Sequence, residues 1–339
     1  MQICICRISV KIKIGDITKI RTGKLDANAA DENGQYPFFT CSKEPLKINT
    51  YSYDCECVLV AGNGDLNVKY YNGKFDAYQR TYIIEDDSDG LLFMPYLYFF
   101  MESYIDELRK QSIGGVIKYI KLKNLTDALI ELPSIEVQRK IVNIISKSKE
   151  IVRRKENEFE LLDELVRARF VEMFGEIEDC DKWESKIWNE VVTIKNGRDY
   201  KKVLVSDGGY PVVGTGGEIA RASKYLCPEN TIVVGRKGSI NNPMLMKEKF
   251  WNVDTAFGVI PNSDYLHYQY FYCFCKFYNF MKLNKATTLP STTKADLLKI
   301  RINIPPLELQ NQFASFVQEI DKSRLLNNHS LLLLKSITF

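Results

Sequence analysis

The heptapeptide LPSIEVQ at residues 132–138 has a close copy, IPPLELQ, at residues 304–310. In both copies a proline and an acidic residue precede a long segment whose apolar residues recur at helical spacing. Proline in the first turn, a capping hydroxyl such as Ser134 and a nearby acid are typical helix-start signals. The repeated junction therefore predicts two long helices, each of which begins directly after a globular part of the chain.

Other segments repeat in the same order at almost the same distance, an offset of 174 residues (190 minus 16). Several blocks that recur in one order at one spacing are the signature of an internal duplication. The period is far longer than that of a solenoid repeat, so we predict a tandem duplication of a whole domain with its helix. The aligned blocks are DITKIRTGK (16–24) with EVVTIKNGR (190–198), NGQYPFF (33–39) with DGGYPVV (207–213), and CVLVAGNG (57–64) with TIVVGRKG (231–238).

Each copy is predicted to be a mixed domain followed by a long helix. Val58–Ala61 and Ile232–Val234 are typical of buried strands that end at glycines, and N-G or D-G turns precede a further strand. The first helix is expected to end at Gly175 after about 40 residues, or roughly 60 Å. We predict an α+β fold, in which a mixed α/β domain and its long helix are duplicated and the two helices pair as an antiparallel coiled coil.

The predicted boundaries are residues 1–132 for the first domain, 133–178 for the central helix, 179–304 for the second domain and 305–339 for a shortened C-terminal helix. Residues 134–178 include nine basic and ten acidic residues, so the charge of this helix is nearly balanced. It is therefore predicted to be a spacer or a partner helix rather than a DNA-binding surface. The residues predicted to mediate helix pairing or subunit docking are Ile141, Ile145, Val152, Phe159, Leu162, Val166, Phe313, Val317 and Ile320.

The composition argues against metal, secretory and membrane classes. Only two of the 339 residues are histidines, and the nine cysteines have spacings that suit no zinc site. The C-x-C pairs are predicted to lie in strands, with both thiols buried and reduced on one face, as in a reducing cytosol. The N-terminus lacks the apolar core of a signal peptide, and the longest apolar run, 91–101, is too short to span a bilayer. A cytoplasmic location is therefore predicted.

Sequence motifs for catalysis are missing. The nearest string to the N/D-P-P-Y/F motif of amino methyltransferases is Asn242-Pro243-Met244, which lacks the second proline and the aromatic residue. There is no G-x-x-x-x-G-K-[ST] loop, and the glycines at 214–217 lack the context of a dinucleotide-binding turn. No acidic cluster with a lysine suggests metal-assisted phosphodiester cleavage. These observations favour a non-catalytic chain that binds no cofactor or metal of its own.

Basic charge is concentrated in two stretches, although the net charge of the whole chain is only +3. Residues 182–249 carry twelve basic and seven acidic residues, and residues 7–24 carry six basic and one acidic residue. Clustered cations next to glycine turns can neutralise phosphates, and the N–H groups of the loop at 235–238 could approach one. The candidate DNA-binding residues are Lys24, Lys43, Arg80, Arg198, Lys201, Lys202, Lys224, Arg236, Lys237, Thr292 and Lys294. The alternative for the cations is ordinary solvated surface, and for the threonines at 287–293 it is helix capping.

The order of these features resembles the specificity subunit of type I restriction–modification systems. A domain that ends in LPSIEVQRKIV (132–142), a helix that closes in LLDELVRARFVEMFG (161–175) and a second domain that runs to INIPPLELQNQF (302–313) carry the resemblance. The opening GDITKIRTG (15–23) is similar to the start of that family's target recognition domains. The resemblance covers about Val10 to Phe339, so 1–132 and 179–304 are interpreted as target recognition domains 1 and 2.

The resemblance implies a non-catalytic subunit that reads a bipartite site on double-stranded DNA, with one half-site for each target recognition domain. It also implies recruitment of two methyltransferase subunits and a restriction endonuclease/translocase subunit, with the helices as ruler and docking platform. S-adenosylmethionine, ATP and Mg²⁺ would be bound by those partners. Two features depart from the family pattern. The second helix lacks a full copy of ELVRARFVEMFG, and residues 1–9 extend beyond the usual start.

Two alternative functions remain open on the sequence. One is a divergent DNA methyltransferase or nuclease with its own active site, which calorimetry with S-adenosylmethionine on the isolated protein would reveal. The other is a DNA-recognition scaffold outside restriction, or a truncated subunit that no longer assembles. Neighbouring genes for a methyltransferase and a motor nuclease would distinguish this alternative from a working restriction system.

Overall fold

The computed structural model describes residues 11–177, 182–285 and 288–338, with side chains as far as Leu325. The chain divides into two compact units, of which the first runs to Arg153 and also includes the C-terminal stretch from Leu332, and the second is Arg154–Leu331. Arg7, Cys4, Cys6, Cys180 and Thr287, which entered the sequence-based predictions, lie outside the described residues.

A six-stranded sheet and two helices form the bulk of the first unit. Its elements are β1 (Lys11–Lys13), β2 (Thr18–Thr22), β3 (Tyr36–Phe39), β4 (Leu46–Ile48), β5 (Tyr53–Ala61), β6 (Val68–Ala77), β7 (Thr81–Asp86), α1 (Met94–Gln111), α2 (Leu122–Thr126), β8 (Leu129–Glu131) and the start of α3 (Ile135–Phe174). The strand order is β2-β7-β5-β6-β3-β4, and the hydrogen-bonded pairs are antiparallel except for β3 with β6. A small separate sheet pairs β1 with β8.

Strand β5 is buried on both of its faces. Val58 and Val60 point into a core that includes Leu97 of α1, whereas Cys57 and Leu59 point into a second core with Phe75. Successive side chains of a strand point to opposite faces, so a strand covered on both sides needs an uninterrupted apolar run. This double burial explains the continuous sequence CVLVA and confirms the predicted buried strand at Val58–Ala61.

The second unit repeats this plan with shorter strands. Its elements are the end of α3, β9 (Ser185–Ile187), α4 (Trp188–Val191), β10 (Val192–Asn196), β11 (Leu204–Val205), β12 (Tyr210–Gly214), β13 (Gly217–Ala222), β14 (Thr231–Gly235), β15 (Met244–Met246), β16 (Trp251–Asn252), β17 (Ala256–Pro261), α5 (Tyr268–Phe277), α6 (Lys294–Leu297), β18 (Arg301–Asn303) and α7 (Leu307–Thr338) as far as Leu331. Two four-stranded sheets have the orders β10-β17-β14-β15 and β11-β13-β12-β16, and β18 pairs with β9.

The pairing of the strands confirms the duplication. The parallel pair Phe38↔Asp76 of the first unit recurs as Val212↔Trp251 in the second. The β2–β7 pairing likewise recurs as β10–β17, and β5–β7 recurs as β14–β17. The copies differ at β6, whose counterpart is broken into the short strands β15 and β16. This break divides the second sheet into two.

The two long helices begin at the repeated junctions, as predicted. In α3 the Ser134 carbonyl accepts hydrogen bonds from the N–H groups of Val137 and Gln138, and in α7 the Pro306 carbonyl has the same role. Helix α3 has 40 residues and is followed by Gly175, whose φ of +88° lies in the left-handed region that favours glycine. Helix α7 has 32 residues.

Within the second unit α3 and α7 run antiparallel. Phe174 near the end of α3 contacts Phe313 near the start of α7, with ring centroids 5.4 Å apart. Further back along α3, Asp163 pairs with Arg324, which lies further along α7. Residue numbers therefore rise along one helix as they fall along the other. This arrangement confirms the predicted antiparallel pairing for this part of the helices.

The six cysteines in the described residues are free thiols, as predicted. Cys55 and Cys57 share one face of β5, as expected, although Cys55 is only half-buried, like Cys41. The strand interpretation is wrong for Cys273 and Cys275, because both lie in helix α5 and are buried in the core around it. Burial disfavours the thiolate and raises the pKa of Cys227 to about 11.

The described residues contain neither a membrane-spanning helix nor a metal-binding group of side chains. None of the helices that this part of the chain forms is long and apolar enough to cross a membrane. No group of three or more histidine, cysteine, aspartate or glutamate side chains in it is arranged to hold a metal ion.

Candidate nucleic-acid interface

Loops at one end of the first sheet carry several of the candidate cations. We call Gly23–Leu25, Ala61–Gly64 and Tyr78–Arg80 the first loop cluster. Backbone hydrogen bonds hold it together: the N–H of Lys24 donates to the Ala77 carbonyl at 3.1 Å, and that of Gly62 donates to the Arg80 carbonyl at 2.8 Å. These bonds join backbone groups and use no side chain of Lys24 or Arg80. Both side chains are exposed.

The second unit holds the equivalent loops together in the same way. The second loop cluster consists of Gly197–Arg198, Gly235–Gly238, Asn252–Thr255 and Pro290–Thr292. The N–H of Arg198 donates to the Asn252 carbonyl at 3.0 Å, and the N–H of Arg236 donates to the Thr255 carbonyl at 2.8 Å. These bonds are the counterparts of the Lys24–Ala77 and Gly62–Arg80 bonds. The duplication therefore extends to the loops that carry the candidate residues.

A glycine at the start of each cluster is required by the closeness of the neighbouring backbone. A Cβ on Gly23 would lie 2.1 Å from the Ala77 carbonyl oxygen, and a Cβ on Gly197 would lie 1.8 Å from that of Val253. Any side chain at either position would push the loops apart. This close approach gives the physical reason for the glycine that precedes Lys24 and Arg198 in the repeated sequence.

Buried polar groups, which sequence reasoning missed, hold the second cluster in place. The Asn252 side chain is fully buried, and its Nδ2 donates to the carbonyls of Lys195 and Ala256 at 3.3 and 3.1 Å. The indole Nε1 of Trp251 donates to the Arg198 carbonyl at 3.0 Å. These side chains position the backbone that carries Arg198. The spacing of residue types along the sequence does not indicate hydrogen bonds between residues this far apart in the chain.

The remaining cations lie beside the clusters rather than in them. Lys201 and Lys202 form a short exposed turn after Arg198, and the segment that includes Lys224 lies next to it, because the N–H of Ser223 donates to the Val203 carbonyl. Lys43 is exposed and forms an ion pair with Asp65 at 3.7 Å. Part of its charge is therefore already neutralised.

The backbone of the Gly235–Gly238 loop is not available to a phosphate, which corrects the prediction. The N–H groups of Arg236 and Lys237 both donate to the Thr255 carbonyl, at 2.8 and 3.3 Å, and that of Gly238 donates to the Pro290 carbonyl at 2.9 Å. The loop is tight because its donors face inward. Of the candidate groups in this loop, only the side chains of Arg236 and Lys237 are exposed.

The hydroxyl-rich stretch before α6 has a structural role, so the prediction for Thr292 is wrong. Thr292 is only 3% exposed; its hydroxyl donates to the Gly235 carbonyl at 2.8 Å and its N–H to the Arg236 carbonyl. Thr293 caps α6, since its Oγ1 accepts a hydrogen bond from the N–H of Asp296, as the capping alternative predicted. The ammonium group of Lys294 donates to the Ile194 carbonyl at 2.8 Å, which tethers this cation to β10.

A half-buried lysine close to the first cluster also escaped the sequence analysis. The Nζ of Lys69 donates to Asn67 Oδ1, and the Nδ2 of Asn67 donates to the Cys41 carbonyl at 2.8 Å. Burial disfavours the charged amine and lowers the pKa of Lys69. A phosphate nearby would favour the charged form and would raise the pKa of Lys69 again.

The glutamine of each junction motif joins the long helix to its own domain. Gln138 is fully buried; its Oε1 accepts from the Phe93 N–H at 2.8 Å, and its Nε2 donates to the Leu91 and Pro133 carbonyls, both at 2.8 Å. The amide of Gln138 therefore connects the start of α1 to the start of α3. This connection explains why the motif LPSIEVQ ends in glutamine.

The second junction repeats this arrangement. Gln310 is also fully buried; its Oε1 accepts from the His267 N–H at 2.8 Å, and its Nε2 donates to the Tyr265 and Pro305 carbonyls at 2.9 and 2.8 Å. His267 caps α5 just as Phe93 precedes α1. Both copies thus fix the start of the long helix against the start of a domain helix.

The residues predicted to pair the helices are at least partly buried. Val166, Phe313 and Val317 belong to the core of the second unit, with Ile320 packed against it. Phe170, which was missed, stacks on Tyr270 of α5 with ring centroids 5.4 Å apart. Helical periodicity from Val166 leads directly to Phe170, so the signal was present in the sequence. The other predicted residues, Ile141, Ile145, Val152, Phe159 and Leu162, are half-buried.

An ion triad links both helices to α5. The carboxylate of Asp163 in α3 accepts from Lys276 Nζ in α5 and from Arg324 in α7, both at 2.7 Å. Burial by itself would raise the pKa of Asp163, but the hydrogen bonds and charges of the two cations lower it below its ordinary value. The triad therefore needs the ionised carboxylate.

Comparison with known proteins identifies relatives over nearly the whole chain. The sequence model of the family described as type I restriction modification DNA specificity domain matches residues 9–161 and 180–335. The specificity subunit of the type I restriction enzyme EcoDI from Escherichia coli is 45% identical over 123 residues, which is 36% of this chain and 27% of that protein. The chain thus spans about a quarter of that relative's length.

Other matches are more distant and longer. The specificity subunit of the type I restriction enzyme MjaVIII from Methanocaldococcus jannaschii is 22% identical over a gapped alignment of 372 positions, which covers 91% of this chain and 85% of that protein. A crystal structure of a type I restriction–modification S subunit from M. genitalium superposes with a TM-score of 0.69 at 16% identity and covers 100% of this chain and 96% of its own. At this level of identity the solved structure shows a shared fold.

Proposed function

Because the chain belongs to the family of type I restriction–modification DNA specificity subunits, which are non-catalytic, we propose that it reads a bipartite sequence on double-stranded DNA. Each half-site is read by one domain through its loop cluster. The observation that carries this proposal is the equivalence of the two clusters, which have the same backbone bonds in two copies of one fold. Both present exposed cations, and Lys24 and Arg198 do so at matching positions.

The clusters differ in the side chains that they present, which supports reading of two different half-sites. Lys24 of the first cluster stands where the second has Arg198, and Arg80 stands where the second has Thr255. Cations of this kind bind phosphates, and Arg and Gln side chains also read base edges. The same backbone scaffold can thus present two different sets of contacts.

The proposal assigns the long helices to spacing and assembly. Two methyltransferase subunits and a restriction endonuclease/translocase subunit would dock on them and would bind S-adenosylmethionine, ATP and Mg²⁺. This chain would supply the choice of sequence and no reacting group. The buried glutamines Gln138 and Gln310 support the role in spacing, because each holds a domain to its own helix.

An exchange of domains tests the division of labour. Replacing residues 183–300 by the corresponding domain of another type I specificity subunit is expected to change one half of the methylated sequence and to leave the other half intact. Methylated positions would be mapped across the genome of cells that also express the methyltransferase subunit, with the parental chain as control. A change in both halves would contradict independent reading.

Removing two cations of the second cluster is expected to weaken the salt dependence of DNA binding. Each phosphate contact contributes roughly 0.9 to the slope of log affinity against log salt concentration. Changing Arg236 and Lys237 together to alanine is therefore expected to reduce the slope by about one to two units, measured with a duplex of random sequence. Lys299 and Arg301, exposed but outside the cluster, provide a matched double-alanine control. An equal reduction in the control would show that only net charge matters.

A further inference from the structure

The loop between α1 and α2 exposes two aliphatic side chains at its tip. We call residues 112–119 the first tip loop; in it Val116 is fully exposed and Ile117 is 63% exposed. Isolated exposed aliphatic residues are common on protein surfaces and by themselves need no explanation. Val116 and Ile117 differ from such isolated residues in two respects: their loop lies beside the first loop cluster, and an equivalent loop occurs in the second domain.

The base of the first tip loop is bonded to the first loop cluster. Ile113 and Tyr119 exchange two backbone hydrogen bonds, of 3.0 and 2.9 Å, which close the loop. The N–H of Gly64 donates to the Lys118 carbonyl and that of Ile120 donates to the Gly62 carbonyl, both at 2.9 Å. The tip therefore projects from a braced base beside the loop that packs on Arg80.

The second domain has an exposed leucine at the corresponding place. The bridge between Asn63 and Tyr119 recurs as a bridge between Lys237 and Ser291. Two residues before the bridged residue stands Ile117 in the first copy and Leu289, 54% exposed, in the second. Both copies thus place a large aliphatic side chain on the same side of the loop cluster.

Charge around the first tip loop favours an anionic partner. Lys118 and Lys121 are exposed and follow the tip closely in sequence, and Lys123 is also exposed but pairs with Asp127 at 3.9 Å. A small open cavity next to its base is lined by Thr22, Gly62, Gln79, Arg80, Tyr82 and Ile120. A loop whose aliphatic tip lies between cations and a polar cavity is complementary to a surface that is anionic overall but carries single apolar groups. The major groove of DNA is such a surface, because each thymine presents a methyl group there.

We propose that the tip loops are base-reading elements: Val116 and Ile117 contact a thymine methyl group in one half-site, and Leu289 contacts one in the other. The inference rests on the proposed function and adds to it the chemical group that is read. Loss of one buried methyl group corresponds to about a fourfold change in affinity.

Replacing thymine by uracil, which lacks only that methyl group, provides the test. The DNA sequence that becomes methylated when the wild-type chain is expressed with its methyltransferase subunit is mapped first. In a duplex with that sequence, each thymine is then changed singly to uracil. We expect one position in each half-site to weaken binding by the full-length chain about three- to fivefold. In the double variant Val116→Ser, Ile117→Ser the uracil effect is expected to vanish in one half-site only, and in Leu289→Ser it is expected to vanish in the other.

Two further comparisons separate the possible outcomes. Leu91→Ser, at an exposed leucine outside the tip loop, is the control and is expected to retain both uracil effects. The proposal is overturned if no thymine matters to a wild-type chain that binds its mapped sequence, if a half-site has no A·T pair, or if the tip variants retain both uracil effects and lose a protein partner instead. A wild-type chain that directs no methylation and prefers no duplex would contradict the proposed function itself.

Discussion

Replacing Phe313 by alanine is expected to lower the free energy of unfolding of the second unit by about 3–5 kcal/mol. The Phe313 side chain is fully buried, and its ring lies 5.6 Å from that of Phe170 and 5.4 Å from that of Phe174. Its loss leaves a cavity where α3, α7 and the domain core meet, which such packed surroundings fill only in part.

Tryptophan fluorescence during urea denaturation measures this effect, because Trp183, Trp188 and Trp251 all lie in the second unit. Leu325→Ala on the same helix is the matched control: its side chain is 71% exposed, and a change within about 0.5 kcal/mol is expected. If Phe313→Ala were as mild as this control, the helix pairing would not be part of the core.

Gln310→Leu is expected to lower the free energy of unfolding of the same unit by about 2–5 kcal/mol. Leucine has nearly the same size but leaves the His267 N–H and the carbonyls of Tyr265 and Pro305 without the partners that Gln310 supplies. Each orphaned buried group costs roughly 1–3 kcal/mol, of which the added apolar contact returns a part.

The neighbouring Gln312 is exposed, so Gln312→Leu tests whether any added leucine in α7 has this effect. The same denaturation experiment serves for both variants, and the control is expected to stay close to wild type. Gln138→Leu provides a second measurement in the first unit, where faster amide hydrogen exchange at Phe93 would report loss of the junction bond. Equal stability of Gln310→Leu and Gln312→Leu would show that the junction bonds contribute nothing net.

The sequence identified cations that the structure shows to be exposed, but it did not identify which polar groups are used in internal hydrogen bonds. Lys24 and Arg198 are exposed on loops at equivalent positions, and Arg236 and Lys237 are exposed on a loop of the second unit, as their glycine-flanked sequences indicated. Whether they bind DNA stays a prediction. The prediction for Thr292 was wrong. The hydroxyl-rich segment suggested a free hydroxyl, but in the folded chain this hydroxyl donates to the Gly235 carbonyl.

The duplication, the two long helices with their starts and the family were predictable from the amino-acid sequence, and the structure and the family match confirm these predictions. Periodicity and internal repetition are recorded along the chain, so they can be read without coordinates. Which hydrogen-bond donors remain free, and how each domain is bonded to its helix, became evident only from the folded chain. The N–H groups of Arg236 and Lys237 are occupied by the carbonyl of Thr255, and the amide of Gln310 reaches back to Tyr265 and His267. Such partners are distant in sequence, and a backbone carbonyl belongs to every residue type, so no local pattern could have identified them.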